Sequence, residues 1–428
     1  ISAFISISFA QRPSKQNSSE IYESLQKLNF LGSVLYVAAH PDDENTRLIS
    51  YFSNHVKART AYLSMTRGDG GQNLIGPELR ELLGVIRTQE LLAARGIDGG
   101  TQFFTRANDF GYSKHPDETL ALWNKDEVLK DVVSVIRKFK PDVIVNRFDH
   151  KSAGRTHGHH TSSAMLSMEA FDLANDEKFK SHYGNLWQPK RLFFNTHWWF
   201  YGSREKFDEA DKSKMLKFDT GVYYPTKGLS NNEGAAIASS QHLCQGFGRL
   251  TTRGTEDEYI EFLKGDLPKS KSNAFEGIDT SWNRVKGGDV IGKILNEVEK
   301  NFDFRNPSVH VPKLIEAYNL IEQLEDTHWK EIKRKEIKQI IAATLGLYLE
   351  VSAANNYANP AGKAEINIEA LNRSDINIKL ISATYNGNSF SINEPLDNNK
   401  KYTSKQTITI DPNKGLTAPY WLLEKGSL

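Results

Sequence analysis

Six consecutive residues, Ala39-His40-Pro41-Asp42-Asp43-Glu44, place an imidazole and three carboxylates on one short stretch. Such a set can hold a divalent metal ion or move protons between water and a substrate. The same residues also fit a capped turn with solvated acids, because carboxylates suit the first turn of a helix. A second stretch, Arg155-Thr156-His157-Gly158-His159-His160, puts three of the chain's twelve histidines within four positions. Imidazole nitrogen and carboxylate oxygen both bind Zn²⁺, and a catalytic site uses three protein ligands and keeps a position open. Together the two stretches point to a metal site.

The elements around them say how the two could meet. Val34–Ala38 is an uninterrupted apolar run of the kind that forms a fully buried strand, and Pro41 cannot continue it. Val143–Asn146 repeats the pattern ahead of the histidines. Both clusters therefore sit on loops after strands, at the sheet edge where open α/β folds bind ligands. Ala58–Met65 and the run from Leu192 read as further strands. Helical spacing marks 18–28, expected beside the first strand, 48–52, 77–95, 127–138 and the segment from Thr161 to Phe171. The alternation predicts an α/β fold with a doubly wound, mostly parallel sheet.

His-Pro-Asp-Asp-Glu after a first strand, with a later His-x-x-His at His157 and His160, resembles the PIG-L/LmbE-like deacetylases. These are zinc-dependent enzymes that remove acetyl groups from N-acetylglucosamine-type substrates. The resemblance extends through Thr66–Gly71, the Arg87-x-x-Glu90 helix and the Ser239–Gly248 stretch, over roughly residues 30–265. It implies a Rossmann-like sheet, with Zn²⁺ or another divalent ion held by His40, Asp43 and His160. It makes Asp42 the general base, and gives His157 the task of supporting the oxyanion or protonating the leaving amine. It implies an N-acetylated sugar or glycoconjugate as substrate, contacted by Arg87 and with His242 near the site; Asp109, on a polar loop at the same sheet edge, is a further candidate contact. In the mycothiol-pathway members a tyrosine stands two residues before the first of these histidines. Arg155 occupies that place here, so either Arg155 or another group takes its part.

Several of these residues have ordinary readings as well. Arg87 and Glu90 are three apart and can pair along one helix face. Asp109 is also a turn aspartate, His242 a structural histidine, and His159 a supporting or exposed one. His197 stays unassigned, and Trp198 and Trp199 could stack on sugars in a non-catalytic glycan-binding protein. A metal-dependent amidase acting on a peptide or other amide is another alternative. The Gly68–Gly71 loop lacks the Lys-Ser/Thr ending of a phosphate-binding loop, which argues against nucleotide hydrolysis.

The formal charge of +1 gives no bulk field for nucleic acid or an anionic membrane. The residues Ile1–Ala10 read as the remnant of a signal peptide, which predicts a periplasmic or secreted protein. No later run reaches the length of a membrane span. Cys244 is the single cysteine, so there is no intrachain disulfide, and a small buried hydrophobe is its expected role. The catalytic domain is expected over 18–265, with a linker near Pro268. Residues 280–355 carry helical periodicity, with one helix running from Trp329 to Val351. From 362 to 428 the period turns to two, at Ala364–Ala370, Ile376–Leu380 and Thr407–Ile410. That reads as the start of an incomplete β-sandwich. Sequence leaves the oligomeric state open.

Overall fold

A computed structural model describes residues 15–248, 251–385 and 388–423. The Ile1–Ala10 stretch lies outside the described residues. The chain divides into two compact units, one built on Phe30–Arg284, the other on Val285–Thr417 with the segment ending at Asn29. The first helix, α1 (Ser18–Leu28), thus belongs with the C-terminal residues.

The Phe30–Arg284 unit begins with β1 (Ser33–Ala38), α2 (Thr46–Ser50), β2 (Arg59–Ser64), α3 (Glu81–Asp98) and β3 (Thr101–Phe104). It continues through α4 (Pro116–Trp123), α5 (Lys125–Phe139), β4 (Val143–Asn146), α6 (Gly158–Leu173) and β5 (Arg191–Thr196). It closes with α7 (Arg204–Glu209), β6 (Met215–Asp219), β7 (Tyr223–Tyr224), β8 (Leu229–Ser230), α8 (Asn231–Ser239) and β9 (Asp257–Gly265). Seven strands form one sheet in the order β3-β2-β1-β4-β5-β9-β6. The five from β3 to β5 are parallel, and β9 and β6 add antiparallel strands at one edge. The sheet is therefore mixed with a parallel core, because the polar-looking region after residue 201 supplies two alternating strands.

Every residue of β1 is buried, as a strand covered on both faces requires. Leu35, Val37, Leu63 and Ile144 pack against Val132, Ile136 and Phe139 of α5 and Leu166 of α6. Their neighbours Val34, Tyr36, Tyr62 and Val145 face the other way, onto Leu48, Ile49, Phe52 and Leu91. The order reverses beside β1, which leads outward to β2 on one side and to β4 on the other. A crevice opens at such a switch point, at the carboxyl ends of the strands.

In the other unit, α9 (Gly288–Lys300), α10 (Val311–Glu322) and α11 (Thr327–Thr344) pack with α1. The apolar face of α1, Ile21, Leu25 and Leu28, is buried there. Lys333, 1% exposed, donates to the Lys27 carbonyl at 2.9 Å and to Glu336 at 2.9 Å. The helix expected through Val351 stops at Thr344. Gly346 takes φ +57°, open to glycine at little cost, and Tyr348–Ala353 leaves it as the strand β10. With β11 (Lys363–Leu371), β12 (Lys379–Tyr385), β13 (Asn388–Pro395) and β14 (Tyr402–Thr409) it completes the set. They form an antiparallel sheet, β10-β11-β14, and a separate β12-β13 hairpin.

Candidate metal centre and active site

The loop leaving β1 is fixed from beneath. The Tyr62 hydroxyl donates to the His40 carbonyl at 2.6 Å, and the Thr66 hydroxyl to the Ala39 carbonyl at 3.1 Å. Asp43 then folds back on its own loop. Its Oδ2 accepts from the His40 backbone N–H at 2.7 Å and lies 3.0 Å from the His40 Nδ1. Its Oδ1 is 3.4 Å from Nε2 of His160, in the first turn of α6. The His160 ring stacks flat on Phe148, with centroids 3.8 Å apart, which sets its plane.

His40, Asp43 and His160 each offer a ligand atom within 4.8 Å of the other two. Two imidazoles and one carboxylate fit a divalent ion that retains an open coordination position. His40, His157 and His159 form a second such group, sharing His40. His159 is fully buried, with Nδ1 2.8 Å from the His40 Nε2, so it supports His40 from behind. Burial opposes the charge on Asp43, but His160 and His40 outweigh it and hold the carboxyl well below its ordinary range. Burial likewise lowers the His40 pKa, and Asp43 more than reverses that.

Asp42 has a different environment. Its backbone sits at φ +100°, outside the comfortable range of a non-glycine residue. Its Oδ1 is 2.8 Å from Nη2 of Arg87, which also donates to the Pro41 carbonyl. Burial pushes the Asp42 carboxyl up to about 7; Arg87 pulls it down and Asp43 pushes it up further. Glu44 turns away, with Oε1 2.8 Å from Nε2 of His242 and 3.1 Å from Nη2 of Arg95. Burial opposes its ionisation too, but Arg95 and His242 keep its pKa below normal.

His157 caps α6, its Nδ1 accepting the His159 backbone N–H at 3.1 Å. Burial, then the neighbouring His40 and His160, pulls its pKa down to about 4. A neutral ring accepting at Nδ1 carries its proton on Nε2, which makes it an N–H donor.

These groups border a cavity of ≈ 430 Å³, lined by His40, Asp42, Asp43, Arg87, Asp109, His157 and His160, with Gly70, Tyr112 and Gln245 among the rest. Gly70 is required there, since a Cβ would lie 2.3 Å from the Asp109 carbonyl oxygen. A second cavity of ≈ 410 Å³ lies across the Asp42–Asp43 loop, bordered by Arg47, Arg147, His197, Asn232 and Glu258 among others.

Residues 35–171 match the family described as PIG-L: GlcNAc-PI de-N-acetylase. This stretch is a PIG-L domain. It contains His40, Asp42, Asp43, Arg87, Asp109, His157 and His160, so the whole candidate centre falls inside the PIG-L match. A 1D-myo-inositol 2-acetamido-2-deoxy-alpha-D-glucopyranoside deacetylase of Streptomyces scabiei is 26% identical over 180 residues, 38% of this chain and 55% of its own. The enzyme of the same description from Streptomyces avermitilis is 25% identical over 179 residues, 38% of this chain and 60% of its own. The chain thus spans little more than half the length of these relatives. The 4-carboxy-2-hydroxymuconate hydratase GalB of Pseudomonas putida KT2440 superposes with a TM-score of 0.38 at 14% identity, covering 56% of this chain and 99% of its own. At that score the likeness bears on neither fold nor function.

Of the residues expected at the PIG-L site, two stand elsewhere. Arg155 is exposed on the loop before α6 and borders neither cavity among the described residues. His242 is 1% exposed and spends its Nε2 on Glu44, which makes it a support of the loop rather than a cavity wall. The Arg87–Glu90 pair does not form either. Arg87 turns to Asp42, and Glu90 accepts from the Cys244 backbone N–H at 2.8 Å and its thiol at 2.7 Å. Cys244 is buried as expected. Sequence reasoning missed Tyr112, whose ring meets His157 edge-on at 4.8 Å, and Arg147. The signal for Arg147 was its place directly after a strand that ends at the site.

Proposed function

We propose that this chain is a zinc-dependent N-deacetylase, removing the acetyl group from an N-acetylglucosamine-type sugar or glycoconjugate. The observation that carries the reading is the convergence of His40, Asp43 and His160 on a cavity that also presents Asp42 and His157. The PIG-L match and the names of the two relatives support the substrate class. Zn²⁺ in this donor set would polarise the amide carbonyl and acidify a water molecule.

The remaining work falls to the chain's own side chains. Asp42, with its pKa pushed up to about 7, is tuned to take a proton from water near neutral pH. His157, neutral and protonated on Nε2, donates to the carbonyl oxygen as negative charge develops there. A neutral imidazole has no spare proton for the amine, so Asp42 returns the proton it took as the C–N bond breaks. Arg87 holds the Asp42 carboxylate in place through both steps.

Asp42→Asn and Asp43→Asn separate the two roles. The Asp42 variant should keep its zinc while acetate release from N-acetylated sugars falls by about 10²–10⁴-fold, the usual worth of a general base. The Asp43 variant should lose zinc affinity and recover partly with added zinc, because one of three ligands is gone. Equal zinc loss and equal rescue in both would refute the assignment. We further propose that Ile1–Ala10 is cleaved on export to a periplasmic or extracellular space. N-terminal sequencing of protein from its host should then begin at Gln11, and an intact Ile1 on cytosolic protein would refute the export.

A further inference from the structure

The mechanism uses one cavity and leaves the other unexplained. The second cavity, ≈ 410 Å³, shares Asp42 and Asp43 with the first. Its volume is within the range of small-molecule sites. Its wall is mostly polar, and the charges on it can be accounted for one by one.

Glu258, 5% exposed, has Oε1 2.7 Å from Nη2 of Arg47, whose Nη1 is 2.8 Å from Glu256. The second carboxylate oxygen of Glu258 accepts from Asn195 at 3.3 Å. Glu44 is held by Arg95 and His242, Asp42 by Arg87, and Asp43 by His40 and His160. Burial moves the His197 pKa down, against the pull of Glu258. Arg47 serves two carboxylates, and Arg147 is the second cation on this wall. Arg147 donates its Nε to the Asp43 carbonyl at 3.1 Å, and its ring contact with Phe148 is distant, at 5.9 Å. Its two terminal amines have no hydrogen-bond or ion-pair partner among the described residues. The Nε bond aims the guanidinium along the loop that carries the metal ligand.

A guanidinium held at one nitrogen, with its outer edge open, matches the geometry of a carboxylate or phosphate. We propose that this second cavity is a subsite for an anionic group carried by the substrate, with Arg147 as its binding residue. The inference rests on the deacetylase reading and narrows it. The preferred substrate is an N-acylated amino sugar with a carboxylate or phosphate close to the scissile amide, rather than a neutral sugar.

Zinc-loaded protein tests this with four substrates. Neutral N-acetylglucosamine is compared with its 6-phosphate and with N-acetylmuramic acid, which place the anion on the sugar. N-succinylglucosamine places it on the acyl group instead. At least one charged substrate should exceed the neutral one in kcat/KM by about 10–100-fold, the worth of a charge-assisted hydrogen bond. Arg147→Gln should erase most of that preference, and Arg147→Lys, keeping the charge, should restore part of it. No preference in the wild type, or an equal loss on neutral and charged substrates in Arg147→Gln, would overturn the proposal. Calorimetric binding of glucosamine 6-phosphate against glucosamine separates the two readings. Arg147-dependent preference for the phosphate without any deacetylation would sink the deacetylase reading and leave the subsite standing. Deacetylation without any anion preference would sink the subsite alone.

Discussion

The two loops that meet at the site are built in opposite ways. The loop after β1 is held by buried charge. Arg87 secures Asp42, Arg95 and His242 secure Glu44, and the Tyr62 hydroxyl grips the His40 carbonyl. The loop after β4 runs through the exposed residues Lys151, Ala153, Gly154 and Arg155, with Ser152 buried among them. One loop must present adjacent, chemically identical aspartates in different roles, so each needs its own partner. The other carries Arg147 and Phe148 at its start and then delivers the first turn of a helix. Preorganisation is concentrated where identical side chains have to be told apart.

That contrast can be tested at its strongest point first. Arg95→Met should be the most damaging change for stability. It strands Glu44 and Asp98, both buried and both paired to this guanidinium. Removing one partner of a buried pair costs about 3–5 kcal/mol, read from denaturant unfolding. A loss below 1 kcal/mol would mean the β1 loop does not depend on its charges. His157→Ala should act on both stability and rate. Losing the cap of α6 costs about 1 kcal/mol, and losing an oxyanion donor lowers kcat by about 10²–10³-fold. Unchanged kcat would remove His157 from the mechanism. Arg155→Ala should do least, within about ±0.5 kcal/mol as for other surface substitutions, with kcat/KM nearly unaffected. A large drop in kcat/KM would restore Arg155 to the substrate site.

The parallel core was legible because strands covered on both faces are unbroken apolar runs, as Val34–Ala38 and Val143–Asn146 are. The candidate ligands were legible because they cluster in sequence on either side of two strand ends. The partners were not. Arg87 passes over Glu90, three residues away, for Asp42 on another element, and helical spacing carries no trace of that choice. His242 was drawn toward the substrate by motif, yet the buried charge of Glu44 claims it. The antiparallel strands β6 and β9 hid in a polar region because each places polar or exposed residues between its buried ones instead of running apolar. The C-terminal strand β10 was read as helix because the preceding periodicity is strong and Gly346 is the only break.

His157 and His160 both belong to the first turn of α6, one as its cap and one just inside it. Helix ends are where a fold opens first, at a small fraction of its global stability. The chemistry therefore hangs on the part of the helix that frays soonest. Warming should silence the protein while most of its sheet is still intact, and a bound ion that ties His160 to His40 and Asp43 would act as a clasp on that turn. Hydrogen exchange at the amides of His160 and Thr161, slow with metal and fast without it, would register the clasp closing.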